Sequence, residues 1–356
     1  MRRWAPADAE LYEQLAYASR VTAEPPYPPI DLANRVGSLT EAADPFAYYE
    51  ILGRRIRAEI LEALPAEWSF RGARVLDFGC GAGRTLRHFL EEAKTAEIWG
   101  CDIDARSVDW LERNLCPPLR VFRNDPTPPL PQPDAYFDLV LAVSVFSHLV
   151  ETWGDWLLEL RRVLRPDGLL LATFMGEGMS EVIAGEPWDE ARCGMNVLGY
   201  GQPWDFGGPM VLHSPWWIRE HWGRAFEVLE LTPSGFATDD SEGQGLAVLR
   251  RNAREASREQ LERTDPHDPR ELRALQHHVV QLRKEVSTLR GMVERERAAA
   301  DQQRLRLAEL EWTAQTLANS RSWRLTAPFR WIAGVARGLC ARLRRGSSRR
   351  VSRLDF

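Results

Sequence analysis

Glycines and acidic residues follow one another here at spacings that suit the binding of a nucleotide-like ligand. The stretch VLDFGCGAGR places Gly79, Gly81 and Gly83 directly after a short apolar run, and Asp77 precedes them by two residues. Glycine tolerates a positive φ and carries no Cβ, so such a turn lets the main chain approach a ligand closely. Asp102 follows at about the distance, ~20 residues, at which an acid meets ribose hydroxyls in βαβ nucleotide sites. A nucleotide-binding turn is therefore predicted, and an ordinary tight strand–helix turn is the alternative.

The spacing of the glycines also limits the kind of nucleotide. It reads G-x-G-x-G, and Arg84 occupies the place where a dinucleotide fingerprint has its last glycine. A carboxylate at Asp77 would repel a pyrophosphate, whereas it would accept a hydrogen bond from an ammonium group. The residues therefore favour a ligand that joins a nucleoside to a cationic amino-acid end over NAD.

Alternating strand and helix patterns are needed to hold these residues at one edge. Apolar runs predict strands and amphipathic runs predict helices in regular alternation, which is typical of a doubly wound, mostly parallel sheet. The last two strands, at 224–233 and 243–251, read as an antiparallel pair at the edge of the sheet. The predicted fold is α/β and Rossmann-like, with seven strands. The other predicted segments are strands ending at 76 and spanning 97–104, 119–125, 137–146 and 169–174, with helices at 84–94, 106–115 and 151–164.

Four ordered motifs between residues 45 and 250 carry a resemblance to a known family. They are VLDFGCGAG, GCDID, NDPTPPLPQPDAYFDLVLAVSVFSHL and LRRVLRPDGLLLATF. Together they resemble the class I S-adenosylmethionine-dependent methyltransferases, in the small-molecule branch found among bacterial polysaccharide and secondary-metabolite enzymes. The resemblance implies a methyltransferase with S-adenosyl-L-methionine as its cofactor, and it leaves the methyl acceptor open.

The resemblance also implies roles for residues in the first two motifs. Asp77 and the backbone of Gly79, Cys80 and Gly81 would hold the methionine part of the cofactor, and Asp102 would take the ribose hydroxyls.

Further along the chain, the resemblance completes the cofactor site. Ile103 would lie against the adenine, and either Asn124 or Asp125 would contact the adenine amino group. Ser144, with Val143 before it, would lie where the fourth strand passes the sulfonium.

Methyl transfer to an alcohol gains from a general base beside the methyl group. His148 follows the fourth strand and is the first choice, while Glu151 and Asp155 on the next helix could orient it or hold a metal. His213 and His221, within an aromatic cluster, are the second choice. For each histidine a structural role remains the alternative, and no metal-binding constellation stands out in the sequence.

Composition agrees with a cytoplasmic enzyme. Hydrophobic residues make up 44% of the chain and charged residues 27%, which suits a globular core. No run of about 20 apolar residues is present, so no spanning helix is expected. The five scattered cysteines lack C-x-x-C spacing, which indicates neither a disulfide framework nor a zinc site.

The predicted catalytic domain spans residues 45–251, and several segments in it and around it differ from the strand–helix pattern in composition. Residues 1–44 read as a helical and proline-rich lead. The resemblance implies that the helix that follows, 44–64, lies over the cofactor pocket, where Tyr48 or Tyr49 touches the ligand or simply packs. Residues 175–220 are rich in Trp, Gly and Pro, and we expect the acceptor pocket there because long irregular loops are often functional.

A heptad pattern follows a charged linker at 252–271. Residues 272–318 are predicted to form a coiled coil, so that the protein self-associates through parallel helices; a lone solvated helix is the alternative. Polar Glu296 and Gln303 interrupt the seam. Its apolar positions are Leu272, Leu275, Val279, Leu282, Val286, Leu289, Val293, Ala300, Leu307, Leu310, Ala314 and Leu317.

The tail, residues 320–356, is basic and amphipathic. It holds ten arginines and one acid, Asp355, for a net charge of +9, although the whole chain is at −5. An apolar stripe running from Phe329 to Leu343 predicts a helix that lies in the headgroups of an anionic membrane. The segment SRSWRLTAPFR resembles a C-terminal signature of bacterial cell-surface polysaccharide enzymes. Nucleic acid is the less favoured partner, since it has no use for the stripe, and an inert tail is the remaining alternative.

The sequence as a whole therefore predicts an O-methyltransferase for a sugar of a cell-surface polysaccharide or lipid-linked glycan, peripheral on the inner membrane. Two alternatives remain. One is a secondary-metabolite methyltransferase that only dimerises through its coil, and the other is a non-catalytic scaffold in a polysaccharide assembly complex.

Overall fold

The computed structural model describes residues 25–36, 42–203, 207–238 and 242–329. The chain divides into two compact units, residues 1–283 and residues 284–356. The described part of the first unit contains the sheet and every residue that the sequence assigns to the cofactor. The predicted helical tail beyond residue 329 lies outside the described residues.

A seven-stranded sheet organises the first unit, in the order β3-β2-β1-β4-β5-β9-β8. The first five strands pair in parallel, while β9 runs antiparallel to both β5 and β8. This confirms the predicted mostly parallel sheet with an antiparallel pair at its edge. The strands are β1 (Arg74–Phe78), β2 (Glu97–Asp102), β3 (Arg120–Arg123), β4 (Phe137–Ala142), β5 (Leu164–Phe174), β6 (Met195–Leu198), β7 (Met210–His213), β8 (Phe226–Phe236) and β9 (Gln244–Arg251).

Helices cover the sheet and continue beyond it. Short 3-10 turns at Asn34–Val36, Leu86–Phe89, Glu92–Lys94, Glu177–Met179 and Trp222–Arg224 join several of these elements. The helices are α1 (Ile30–Ala33), α2 (Pro45–Ala63), α3 (Ala105–Asn114), α4 (Trp153–Val163), α5 (Ser180–Ala184), α6 (Pro215–His221), α7 (Arg258–Glu262), α8 (Pro269–Asn319) and α9 (Arg321–Leu325).

The central strand β4 is buried at all six positions, because apolar cores lie on both faces of the sheet. Its alternate side chains enter opposite cores: Leu139 packs with α2 and α3, and Val140 packs with α4 and α6. Leu157 and Leu160 of α4 are fully buried against the sheet. Each such side chain stabilises the fold by about 1.5–3 kcal/mol, which fixes the carboxyl ends of the strands.

The segment from 175 to 220 contains more regular structure than its composition predicts. Strands β6 and β7 pair as an antiparallel hairpin, and Leu212 of β7 also bridges in parallel to Met175, just after β5. The backbone N–H of Val211 donates to the carbonyl of Ser147 at 2.8 Å. Strand β7 therefore lies beside the segments that leave β4 and β5.

Residues in the predicted linker pack on the first unit. Ser257 caps α7 with a capping box, and Leu261 of that helix is fully buried in the main core. Arg258 forms an ion pair with Asp155 of α4 at 2.6 Å. The segment thus contributes to the folded domain, so a truncation at residue 251 would uncover the core.

The first turns of α8 are held by a buried histidine. His221 Nδ1 lies 2.6 Å from the carbonyl oxygen of Leu261, and its Nε2 lies 3.0 Å from Oε1 of Glu271. Ala274 and Gln281 are buried on the same helix. His221 therefore has a structural position in the fold. A structural role is the alternative that the sequence left open beside a role as a base.

In the second unit, the described part of α8 keeps its apolar seam exposed. Side chains at seam positions, among them Val286, Leu289 and Val293, are about half exposed. Trp323, Leu325 and Phe329 of the following segment are also exposed. None of the described helices combines the length and the apolar character that crossing a bilayer requires.

Candidate functional site

The glycine-rich turn begins where β1 ends and has the backbone shape that its sequence predicts. Gly79, Gly81 and Gly83 all have positive φ, at +76°, +54° and +82°. A Cβ on Gly79 would lie 2.5 Å from Cγ2 of Val145, so no other residue fits there without displacing the neighbour. The turn leaves room at this edge because these positions carry no side chains.

The segment after the turn departs from the predicted helix at 84–94. It forms turns and two short 3-10 segments, Leu86–Phe89 and Glu92–Lys94. The reason is a close contact with α2, where a Cβ on Gly53 would lie only 2.3 Å from the carbonyl oxygen of Arg84. This tertiary contact overrides the local helical pattern.

Asp102 braces the turn from the end of β2. Its Oδ2 accepts from the N–H of Gly81 at 2.8 Å, and its Oδ1 accepts from the N–H of Asp104 at 2.8 Å. Burial raises the pKa of Asp102, while these two backbone donors oppose the rise. Each carboxylate oxygen keeps a further acceptor position, which is what a pair of ribose hydroxyls needs.

Asp77 lies buried below the turn, only 3% exposed. Burial raises its pKa to about 7; the Arg84 guanidinium opposes the rise and the Asp102 carboxylate adds to it. Arg84 is itself buried, and desolvation lowers its pKa. A carboxylate that is this poorly solvated gains much from a cationic ligand group.

Asn124, unlike Asp125, is buried and has an acceptor oxygen without a partner among the described residues. Its side chain is 6% exposed, and its Nδ2 donates to the carbonyl of Asp125 at 2.8 Å. Its Oδ1 is buried without a hydrogen-bond partner among the described residues. An exocyclic amino group would supply the missing donor. The neighbouring Ile103 is 38% exposed, as an apolar surface for a purine requires, whereas the Asp125 side chain faces solvent.

Ser144 adopts a strained backbone after β4, with φ at +59°. Its N–H donates to Oγ1 of Thr173 at 2.7 Å, and its Oγ accepts from Nε2 of Gln244 at 2.9 Å. The Thr173 hydroxyl donates in turn to the amide oxygen of Gln244. Sequence reasoning identified Ser144 and missed its two partners, because they lie on β5 and β9 with no motif around them.

Removing the Thr173 hydroxyl should destabilise the fold. Thr173→Val leaves the N–H of Ser144 and the amide oxygen of Gln244 without their partner, so we expect the free energy of unfolding to fall by about 1–3 kcal/mol. Thr173→Ser keeps the hydroxyl and serves as the control. Chemical denaturation measures both variants, and a valine variant as stable as the parent would contradict the assigned role of this network.

One ring nitrogen of His148 is bound to the backbone. Its Nδ1 lies 2.9 Å from the carbonyl oxygen of Pro209, which requires the hydrogen on Nδ1 and leaves the lone pair on Nε2. Burial lowers the pKa of His148, although the Pro209 carbonyl opposes this. The imidazole is therefore neutral near pH 7, which a proton acceptor requires.

The other predicted catalytic residues have different surroundings. Glu151 pairs with the hydroxyl of Tyr200, and Asp155 pairs with Arg258, so neither is seen to orient His148. Within the described ranges, no three His, Cys, Asp or Glu side chains are grouped to hold a metal ion.

His213 is a core residue. Its ring is 0% exposed and packs between Trp217 and Trp222, and neither ring nitrogen has a hydrogen-bonding partner of good geometry among the described residues. Burial lowers its pKa to about 3. This enclosure speaks against its predicted role as a base, because no acceptor substrate can reach the ring.

A strap formed by residues 25–36 was missed by the sequence reasoning. Arg87 donates to the carbonyl of Pro25 at 2.6 Å and stacks on Tyr27 at 4.3 Å, while Arg35 pairs with Asp104 at 3.0 Å. The strap thus packs against the segment that follows the glycine-rich turn and against the residues after β2. Tyr49, predicted either to touch the ligand or to pack, is fully buried and donates to the carbonyl of Ala82 at 3.2 Å.

Comparison with known proteins agrees with this geometry. Residues 76–170 match the family model described as "Methyltransferase domain". The fatty-acid O-methyltransferase of Mycolicibacterium smegmatis is 31% identical over 119 residues, which are 33% of this chain and 43% of that protein. The malonyl-[acyl-carrier protein] O-methyltransferase of Enterobacter lignolyticus is 32% identical over 150 residues, 41% of this chain and 55% of that protein. The chain thus spans about half the length of these curated relatives.

A solved S-adenosylmethionine-dependent methyltransferase from Mesorhizobium loti matches 56% of this chain and 100% of its own, with 18% identity and a TM-score of 0.45. The domain match and the curated relatives support an S-adenosylmethionine-dependent methyltransferase, and they imply S-adenosyl-L-methionine as the cofactor.

Proposed function

We propose that this chain transfers a methyl group from S-adenosylmethionine to a hydroxyl of a sugar, in a cell-surface polysaccharide or lipid-linked glycan at the inner membrane face. One observation carries the methyltransferase part: acceptor oxygens of buried Asp77 and Asn124 and of half-buried Asp102 lie around a turn of glycines with positive φ. These three acceptors match the ammonium, ribose and amino groups of one ligand.

Each of the named residues has its own role in the proposed reaction. Asp77 holds the ammonium group, and Asp102 holds the ribose. When bound, the cofactor supplies an electrophilic methyl group on a sulfonium. Nε2 of His148 accepts the hydroxyl proton of the acceptor, so that the oxygen attacks as its charge develops.

Replacing His148 tests the catalytic part of the proposal. General bases contribute about 10²–10⁴-fold to rates, so His148→Ala should lower kcat by that range and leave cofactor affinity unchanged. His267→Ala replaces an exposed histidine and is the matched control. The measurement is formation of the demethylated cofactor with lipid-linked glycan fractions as acceptors.

The acceptor fractions also separate the alternatives. Turnover with a free fatty acid and none with glycans would favour an acyl acceptor, in line with the names of the matched relatives. Turnover with soluble small hydroxylated molecules alone would favour the secondary-metabolite reading. A chain that binds cofactor and turns over no acceptor would favour the scaffold reading.

The glycan assignment is supported by the character of the C-terminal part. Arginines dominate the tail, and the described residues Trp323, Leu325 and Phe329 are exposed before it. An enzyme held at an anionic leaflet by such a tail meets acceptors that are themselves anchored in lipid.

Self-association through α8 forms a further part of the proposal. Leu289→Glu together with Val293→Glu places charges in the exposed seam, so the full chain should change from a dimer or trimer to a monomer. Arg290→Ala with Glu294→Ala, off the seam, is the control pair. Sedimentation velocity measures the mass, and a parent that is already monomeric would contradict the predicted coil.

A further inference from the structure

A second cavity lies in the first unit, away from the cofactor residues. It has a volume of about 590 Å³, within the range of small-molecule sites. The segment 180–196, strand β7 and the first turns of α8 enclose it. None of the residues assigned above to the cofactor lines it.

Two buried amides form the floor of this cavity, which we call the α8 cavity. Asn196 is 1% exposed, and its Nδ2 donates to Oε1 of Gln281 at 2.8 Å. Oδ1 of Asn196 accepts from the N–H of Gly194 at 3.2 Å. Because Oε1 of Gln281 accepts this bond, the Nε2 group is left as a donor, and it has no partner among the described residues.

Charge on the walls limits the kind of ligand. Asp189 pairs with Arg192 at 3.0 Å, and Glu186 pairs with His277 at 3.4 Å, while the Glu190 carboxylate adds a further acceptor. The lining is therefore acidic on balance, which repels phosphates and carboxylates. Carboxylate and amide groups together suit a ligand with several hydroxyl groups.

An indole supplies the apolar side of the cavity. Trp188 is half-buried at the edge of a small cluster with Cys193 and Leu212, and it also lines the α8 cavity. An aromatic ring beside hydrogen-bonding groups suits a ligand with one apolar face and a hydroxylated rim, which describes a sugar ring.

The cavity lies close to the segment that carries the proposed base. Leu212 of β7 lines the cavity, and its neighbour Val211 is hydrogen-bonded to Ser147, one residue before His148. A single strand therefore separates the cavity from the segment that carries the proposed base.

We infer that the α8 cavity binds a sugar residue without phosphate or carboxylate groups, part of the methyl acceptor, with Trp188 against the ring and Gln281 and Glu190 bonded to its hydroxyls. That the sugar belongs to the acceptor rests on the proposed function. The inference adds a specificity site that the cofactor motifs do not contain.

Binding of simple glycosides to the full chain tests the inference. The probes are methyl glycosides of neutral hexoses and 6-deoxyhexoses, with a methyl uronoside and a methyl aminoglycoside as charged comparisons. Saturation-transfer NMR and calorimetry should show binding of neutral probes and at least tenfold weaker binding by Trp188→Ala and by Glu190→Gln. The controls are Trp312→Ala and Glu181→Gln, which replace exposed residues outside the cavity.

Cofactor calorimetry on the same variants keeps the two proposals apart. Unchanged cofactor affinity with a raised KM for the glycan acceptor supports the inference. Preference for the uronoside, or equal glycoside binding by parent and Trp188→Ala, would overturn it. Neutral glycosides bound by a parent without methyl transfer would contradict the proposed activity and, with it, the assignment of the sugar to the acceptor.

Discussion

Asp77→Asn should weaken the binding of S-adenosylmethionine by about a hundredfold or more at pH 7.5. The substitution keeps the shape of the side chain and removes the charge that, in the proposed function, faces the ammonium group. Losing one partner of a buried, hydrogen-bonded charge pair costs about 2–5 kcal/mol, and 1.4 kcal/mol is about tenfold in affinity. Titration calorimetry measures the dissociation constant, and Asp109→Asn, an exposed carboxylate on α3, is the control.

The raised pKa of Asp77 gives the same variant a second readout. In the free protein its carboxyl has a pKa of about 7, whereas an α-amino group keeps its proton up to about pH 8. Parent affinity should therefore rise from pH 5.5 to 7, and binding near pH 6 should release a proton, seen by calorimetry in buffers of different ionisation enthalpy. Asp77→Asn should lose this dependence. Equal affinity of parent and variant at both pH values would show that Asp77 does not meet the ammonium group.

The same shift has a consequence for stability, with the opposite sign. Because the folded state favours the protonated carboxyl, it binds more protons than the unfolded chain between the ordinary pKa of 3.8 and about 7. Without cofactor, the contribution of Asp77 to stability therefore falls as the pH rises through that window.

Truncation after Asn319 should abolish sedimentation of the protein with anionic liposomes at moderate salt. The segment removed carries ten arginines, each worth about 1 kcal/mol near an anionic leaflet. It also removes exposed Trp323, Leu325 and Phe329, whose burial would add about 25 cal/mol per Å². Several tails presented by one oligomer would multiply the effect. The truncated chain should still bind cofactor.

A variant that keeps every arginine of the tail separates insertion from simple attraction. Ile332→Asp with Leu339→Asp keeps all ten arginines and places acids within the predicted apolar stripe, in a segment outside the described residues. A variant with two surface arginines replaced by alanine has the same change in net charge and is the control. The aspartate variant should bind liposomes much more weakly than this control does. If the aspartate variant binds as well as the parent, the tail does not insert, and a purely electrostatic partner such as nucleic acid becomes the better reading.

The parts of the site that sequence could predict are those carried by local patterns. Asp77, the glycines and Asp102 lie next to strand ends that apolar runs identify, and parallel strands bring such ends to one edge. Asn124 and Asp125 differ in burial, which a pair of adjacent polar residues does not reveal.

The parts that sequence could not predict depend on contacts between distant segments. Asn196 and Gln281 are 85 residues apart, and Thr173 and Gln244 are 71 apart, so no spacing rule connects them. His213 shows the converse error. Its aromatic neighbours suggested a binding surface, while in the fold they enclose the ring. Aromatic residues that are neighbours in the sequence can line a pocket or fill a core, and the sequence does not distinguish the two.

Two acceptor oxygens flank the buried ring of His221 at the start of the long helix. A neutral imidazole has one N–H, but both ring nitrogens here face acceptors, the Leu261 carbonyl and the Glu271 carboxylate. Burial lowers the pKa of His221 in spite of both contacts, so the docked ring resists protonation. Undocking the first turns of α8 would let the ring take up a proton as the pH falls. Docking of these turns is thus coupled to proton release, and acidic conditions should loosen them first.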